Sequence, residues 1–105
     1  MDREQLEALI ETVKKECRIS WKNQETNERI EEIVKNSIEI IKHKLGMSGN
    51  DETDLVEPGL TKMLLLKYCQ YWWSNMEAEF DQNYKREILT QRHKYEVKHG
   101  KEETE

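Results

Sequence analysis

The sequence predicts an all-α chain: a small bundle of about four helices, in which the second and third form a long central hairpin. Three observations carry this expectation. Apolar residues recur at helical spacing over most of the length. The one proline and four glycines among 105 residues fall between the periodic stretches. Residues suited to starting or stopping a helix stand at the ends of those stretches. The length predicts a single domain over residues 1–105.

The first helix is expected over about 2–17. Leu6, Leu9, Ile10 and Val13 fall at i, i+3, i+4 and i+7, the spacing of one helical face. Asp2 and Gln5 form a capping-box pattern. RISWKNQETN then reads as a connector pinned by Ile19 and Trp21, two side chains that point the same way in extended backbone. A second helix is expected over about 25–45, with Ile30, Ile33, Val34, Ile38, Ile41 and Leu45 on its apolar stripe. Thr26 or Asn27 is a candidate cap. Lys42, His43 and Lys44 suit the negative end of the helix dipole, and Gly46 the C′ position. Some 20 residues of helix measure about 30 Å, long for so short a chain.

MSGNDETDLVE, residues 47–57, reads with Gly46 as a loop over 46–57 whose composition suits ordering on assembly. Glu57-Pro58 opens the third helix, because proline tolerates the first turn. It is expected to reach Asn75. A break follows near 74–82, with Asn75, Asp81 or Asn83 as caps. The last helix is expected over 83–97 with Tyr84, Ile88 and Tyr95 on one side, and 98–105 as a fraying polar tail.

The third helix holds the stretch YCQYWWSN. On a helical wheel Tyr68, Trp72, Leu65, Met76 and Cys69 occupy the middle of an apolar arc. Leu64 and Tyr71 lie on one edge, Leu66 and Trp73 on the other. Only Lys67, Gln70 and Ser74 form the polar sector. The arc exceeds half the circumference, where an ordinary surface helix needs only about 100°. Such a helix needs cover, from the chain's own helices or from a neighbouring subunit. Leu, Ile, Val and Phe number 22 of 105 residues, so the core available to cover it is thin.

Net charge is −5 and charged residues make up 37% of the chain, which argues against a general nucleic-acid binder. Residues 1–57 sum to −5 and residues 84–101 to +4, so the basic stretch is late and local. Cys17 and Cys69 lack CxxC spacing and read as free thiols in a reducing, cytosolic setting. MDREQLEALIE has no basic and apolar leader pattern, so no signal peptide is expected.

No catalytic residue, metal or cofactor is expected. His43, His93 and His99 have no ligand cluster around them and read as solvated. Glu28, Glu31 and Glu32 form E-x-x-E-E, and all-α nucleotide pyrophosphatases hold magnesium with such a set plus an acidic pair on another helix. The second pair here would be Asp51 with Asp54, or Glu77 with Asp81, and neither sits on a rigid second helix. Cys69, among Leu, Tyr and Trp, reads as inert. Lys85, Arg86, Arg92, Lys94, Lys98 and Lys101 form either a solvated face or a contact for an acidic surface or phosphates. A magnesium pyrophosphatase and a small DNA-binding regulator remain the rival readings.

The order of these parts resembles the small head–tail connector proteins of tailed phages and related prophages. The matching pieces are LEALIETVKK, ISW, a long helix ending IIKHKLG, an acidic loop, EPGLTKMLLLKYCQYWW and FDQNYKREILTQRHKY. They cover nearly the full chain. The resemblance implies a non-enzymatic virion protein, made in the bacterial host cytoplasm and placed at the head–tail junction. It implies a homo-oligomeric ring that joins the portal to the next head-completion or tail component and forms part of the DNA conduit. A ring requires head-to-tail contacts on two different faces of each subunit. On that reading Leu66, Trp73 and Trp21 are the expected subunit contacts. Lys85, Arg86, Arg92 and Lys94 are the expected docking residues for an acidic neighbour.

Overall fold

The computed structural model of the chain describes residues 1–19 and 23–103. The first helix, α1, spans Arg3–Glu16. Asp2 opens it as the capping box requires: its carboxylate accepts the Gln5 N–H at 2.8 Å, and the Gln5 side chain accepts the Asp2 N–H at 3.2 Å. Two orphan donors of the first turn are thereby satisfied. Arg18 ends α1 in the left-handed region, φ 57°, with the Ile19 N–H returning to Lys14 O at 2.9 Å. Leu9, Ile10 and Val13 are buried. Ile19 packs against the core, whereas its expected companion Trp21 lies outside the described residues.

The second helix, α2, spans Gln24–Leu45. Its cap is Asn23, not Thr26 or Asn27: the Asn23 side chain accepts the N–H groups of Glu25 and Thr26 at 2.8 and 3.2 Å. The helix therefore starts before the periodic stripe does. The stripe itself is as read, with Ile30, Ile33, Val34, Ile38, Ile41 and Leu45 all buried. Gly46 closes the helix at φ 71°, and the Met47 N–H returns to Lys42 O at 2.9 Å, a turn in which an L side chain would be strained.

One residue of α2 breaks the pattern. Ser37 is fully buried, and its hydroxyl has no hydrogen bond of normal geometry; its neighbour, the Cys69 thiol, is a weak partner. Ser37→Ala removes this desolvated hydroxyl and adds a better helix former. It is expected to stabilise the protein by about 1 kcal/mol. Urea denaturation checks this, and a lower midpoint would show that the hydroxyl is satisfied.

Residues 46–57 are not a free loop. A 3₁₀-helix spans Gly49–Leu55, with Asp51 and Leu55 buried. The third helix, α3, spans Leu60–Trp73 and begins after Gly59, so Pro58 precedes it rather than opening it. It stops two residues short of Asn75. Asn75 takes φ 58°, and Met76 N–H returns to Tyr71 O at 2.7 Å. Asparagine tolerates this left-handed stop. The early stop carries Met76 off the apolar arc, where it was expected at the centre, and leaves it 47% exposed.

A 3₁₀ turn over Glu77–Glu79 leads into the four-residue helix α4, Phe80–Asn83. The last helix, α5, spans Lys85–Glu103. Bonds from Tyr84 N–H to Phe80 O and from Ile88 N–H to Tyr84 O join α4 and α5 across a kink. The chain is thus all-helical among the described residues, but four is an undercount: α4 and the two 3₁₀ segments stand between the four long helices. The tail expected at 98–105 is helical as far as Glu103, because Lys98 and His99 are held by Asp51. Residues 104–105 lie outside the described residues.

The most extensive helix packing is α2 against α3. Trp73 meets Arg29 near the start of α2, and Tyr68 meets Lys44 at its end, so the two run antiparallel. α1 packs on both, and α5 closes the other side. The molecule measures 51 × 31 × 19 Å. α3 meets α1, α2, α5 and both 3₁₀ segments, so no residue of Leu60–Trp73 is exposed, though several are only half-buried.

Candidate docking surfaces

These neighbours decide how α3 is covered. Leu64, Leu65, Tyr68 and Cys69 are buried, while Leu66, Tyr71, Trp72 and Trp73 are half-buried. The chain clothes most of the centre of the apolar arc and Leu64 on one edge, and leaves Trp72 at the centre and Leu66, Tyr71 and Trp73 on the edges partly open. On the Tyr71 edge the cover is aromatic. Phe80 sits edge-on to Tyr68 and Tyr71 at centroid distances of 4.9 and 5.7 Å, and stacks on Tyr84 at 5.0 Å. Asn83 donates to the Tyr71 hydroxyl at 3.0 Å. On the other edge the guanidinium of Arg29 lies 4.6 Å over the Trp73 ring. That contact is worth about 0.5–1 kcal/mol at an exposed site, and it leaves the indole accessible.

The four basic residues expected to act together do not share one surface. Lys85 and Arg92 line a groove of about 630 Å³ between the end of α2, α4 and α5. Lys94 is on the opposite face of α5, 3.8 Å from Asp54 and over the Tyr95 ring, and Arg86 is exposed outside the groove. The groove adds His43 and Lys44, which the sequence reading gave only a helix-end role. Lys44 bridges to both oxygens of Asp81 at 2.7 and 2.9 Å. Arg92 Nε donates to Lys44 O at 2.9 Å, satisfying an orphan carbonyl at the end of α2. A signal for this pairing was present in the spacing: Lys85, Leu89 and Arg92 stand at i, i+4 and i+7 on one face of α5.

Of the acidic residues weighed for magnesium, Glu31, Asp51, Asp54 and Asp81 are drawn into structure. The Glu31 carboxylate meets Arg3 at 3.3 Å and Lys35 at 3.6 Å. Asp54 accepts the Tyr95 hydroxyl at 2.7 Å. Asp51 accepts Lys98 and also His99 Nε2 and Ser48 N–H, at 2.8 and 2.9 Å. Asp81 is held by Lys44. Among the described residues no group of three His, Cys, Asp or Glu side chains converges as a metal ion would need.

Two buried anchors were missed by sequence reasoning. The first is Asp51 itself. Burial pushes its carboxyl up, but hydrogen bonds from Lys98, Ser48 N–H and His99, with the Lys98 charge, bring it down to about 2. The second is a relay: Gln91 donates to Thr61 at 2.8 Å, Thr61 meets the Tyr95 hydroxyl at 2.9 Å, and that hydroxyl donates to Asp54. Burial, with the Asp54 carboxylate, pushes Tyr95 up to about 12. Both anchors tie α5 to the 46–59 region and make it a rigid wall. Burial likewise pushes the Cys69 thiol up to about 12, which keeps it un-ionised and unreactive at neutral pH. Among the described residues no helix is long and apolar enough to cross a membrane.

No protein-family model, no curated protein and no solved structure matches the chain.

Proposed function

We propose that the chain is a structural assembly protein, a head–tail connector that builds a ring between a phage portal and the next head-completion or tail component. The observation that carries this reading is the incomplete cover of α3. Leu66, Trp72 and Trp73 stay half-buried beside the fully buried Leu65 and Cys69, and large aromatic side chains of this kind make efficient subunit contacts. A second copy, seated head-to-tail, would complete the cover on that edge. The acidic balance of the chain, −5 overall, suits a conduit through which DNA slides without being gripped. The resemblance in the order of parts supplies the portal, the DNA and the virion location. On this reading the protein is not an enzyme and holds no cofactor.

Mass measurement across concentration, followed by electron microscopy with and without the portal, tests it. Annular particles are expected; a monomer under both conditions overturns the reading. Trp73→Ala sharpens the test. It is expected to cost the isolated subunit only about 1–2 kcal/mol, since the ring is half-buried. Helical circular dichroism persists and ring formation weakens. Loss of the helical signal would instead assign Trp73 to the subunit's own core.

A further inference from the structure

We propose that the groove between the end of α2, α4 and α5 is a docking site for an acidic segment of another protein that inserts an aliphatic side chain. The inference goes beyond the ring and stands whether or not one forms. Its walls and floor differ in kind. Lys85 and Arg92 stand on one wall, and neither has a carboxylate partner among the described residues. Lys44 stands opposite, neutralised by Asp81. Two positive charges therefore remain unanswered. Between them Leu89 is 50% exposed over a buried Ile88, one of few large apolar side chains left open among the described residues.

That combination selects the occupant. Charge complementarity calls for carboxylates or phosphates. Exposed Leu89 at the centre gains nothing from a phosphodiester. An amphipathic acidic peptide uses both parts: its carboxylates meet Lys85 and the free guanidinium nitrogens of Arg92, and an aliphatic side chain covers Leu89. A volume of about 630 Å³ accommodates several side chains, within the range of ordinary binding clefts. The groove is also held firm. Arg92 is fixed to Lys44 O, Lys44 to Asp81, and α5 to Asp51 and Asp54, so little ordering remains on binding.

The test uses the full chain and a fluorescein-labelled synthetic helix of Asp and Glu with two leucines at i and i+4. Anisotropy is expected to show saturable micromolar binding that weakens as salt rises. Lys85→Glu and Leu89→Ser each weaken it about tenfold or more. Both side chains are exposed and anchor nothing, so circular dichroism stays unchanged. Lys15→Glu, an exposed charge reversal on α1, leaves binding intact. Amide shifts on peptide addition should centre on Lys44, Ile88 and Leu89. Absence of saturable binding, or equal binding by all variants, overturns the proposal. So does labelled duplex DNA outcompeting the peptide in the groove. Self-association abolished by Lys85→Glu would make a second copy the occupant and overturn the assignment to another protein.

Discussion

Phe80→Ala is expected to destabilise the protein by about 3–5 kcal/mol, the range for a fully buried aromatic truncated to alanine. Phe80 has no solvent exposure and touches three rings, those of Tyr68, Tyr71 and Tyr84. It stands on a four-residue helix, which has almost no intrinsic stability and depends on packing. Removing the ring leaves a cavity under α3 that the antiparallel α2 cannot collapse to fill. It also releases the kinked joint at Tyr84 on which α5 begins. For a domain of this size the melting temperature should fall by at least about 12 °C. Near-ultraviolet circular dichroism should lose the ordered tyrosine signal. Phe80→Leu keeps most of the apolar volume and should cost about 1–2 kcal/mol. A loss below 1 kcal/mol for the alanine variant would show that the aromatic cluster is peripheral.

The ease with which each part could be read follows from where its determinants lie. The stripe on α2 was legible because six side chains recur with one period and face one core. Asp2 with Gln5 was legible because both halves of the cap are within four residues of sequence. Phe80 belongs to no periodic run, since a 3₁₀ turn precedes it and a kink follows it. Its burial is a property of the rings it meets, which come from α3. The groove mixes residues from three elements, and only its α5 wall, Lys85, Leu89 and Arg92, has a spacing visible in sequence. The α2 wall looked like a helix end suited to its dipole, and in part it is one. The half-cover of α3 was foreseeable as an excess of apolar girth. The sequence could not show how its own chain divides that girth between Phe80 on one edge and Arg29 on the other. The helix over 98–103, read from sequence as tail, was hidden for the same reason: its partner, Asp51, is 47 residues distant from Lys98.

Asp51 is the residue whose removal should change the molecule most in a pH-dependent way. Its side chain is wholly buried, while its partner Lys98 remains 44% exposed. The carboxylate joins the 3₁₀ segment to the end of α5, through Lys98 and His99. Its folded pKa lies near 2, below the ordinary value of 3.8. A depressed carboxyl stabilises the fold above its unfolded pKa and loses that contribution as pH falls through its folded pKa. The contribution is therefore whole above about pH 4 and gone by about pH 2; after screening at the exposed Lys98 end it amounts to about 1–2 kcal/mol. Asp51→Ala should cost more, about 2–3 kcal/mol, because it also leaves Ser48 N–H without its acceptor. Asp51→Asn retains shape and one acceptor, should cost less than the alanine variant, and should flatten the acid limb of the stability curve between pH 4 and pH 2. Amide exchange should accelerate selectively at the end of α5 in both variants, turning residues 98–103 into the frayed tail that their composition suggests. Unchanged exchange there, with an acid limb like that of the parent protein, would mean that α5 is held by the Tyr95 relay alone. In that case the wall of the groove formed by Lys85, Leu89 and Arg92 would owe its rigidity to Thr61, Gln91 and Asp54 rather than to the buried carboxylate.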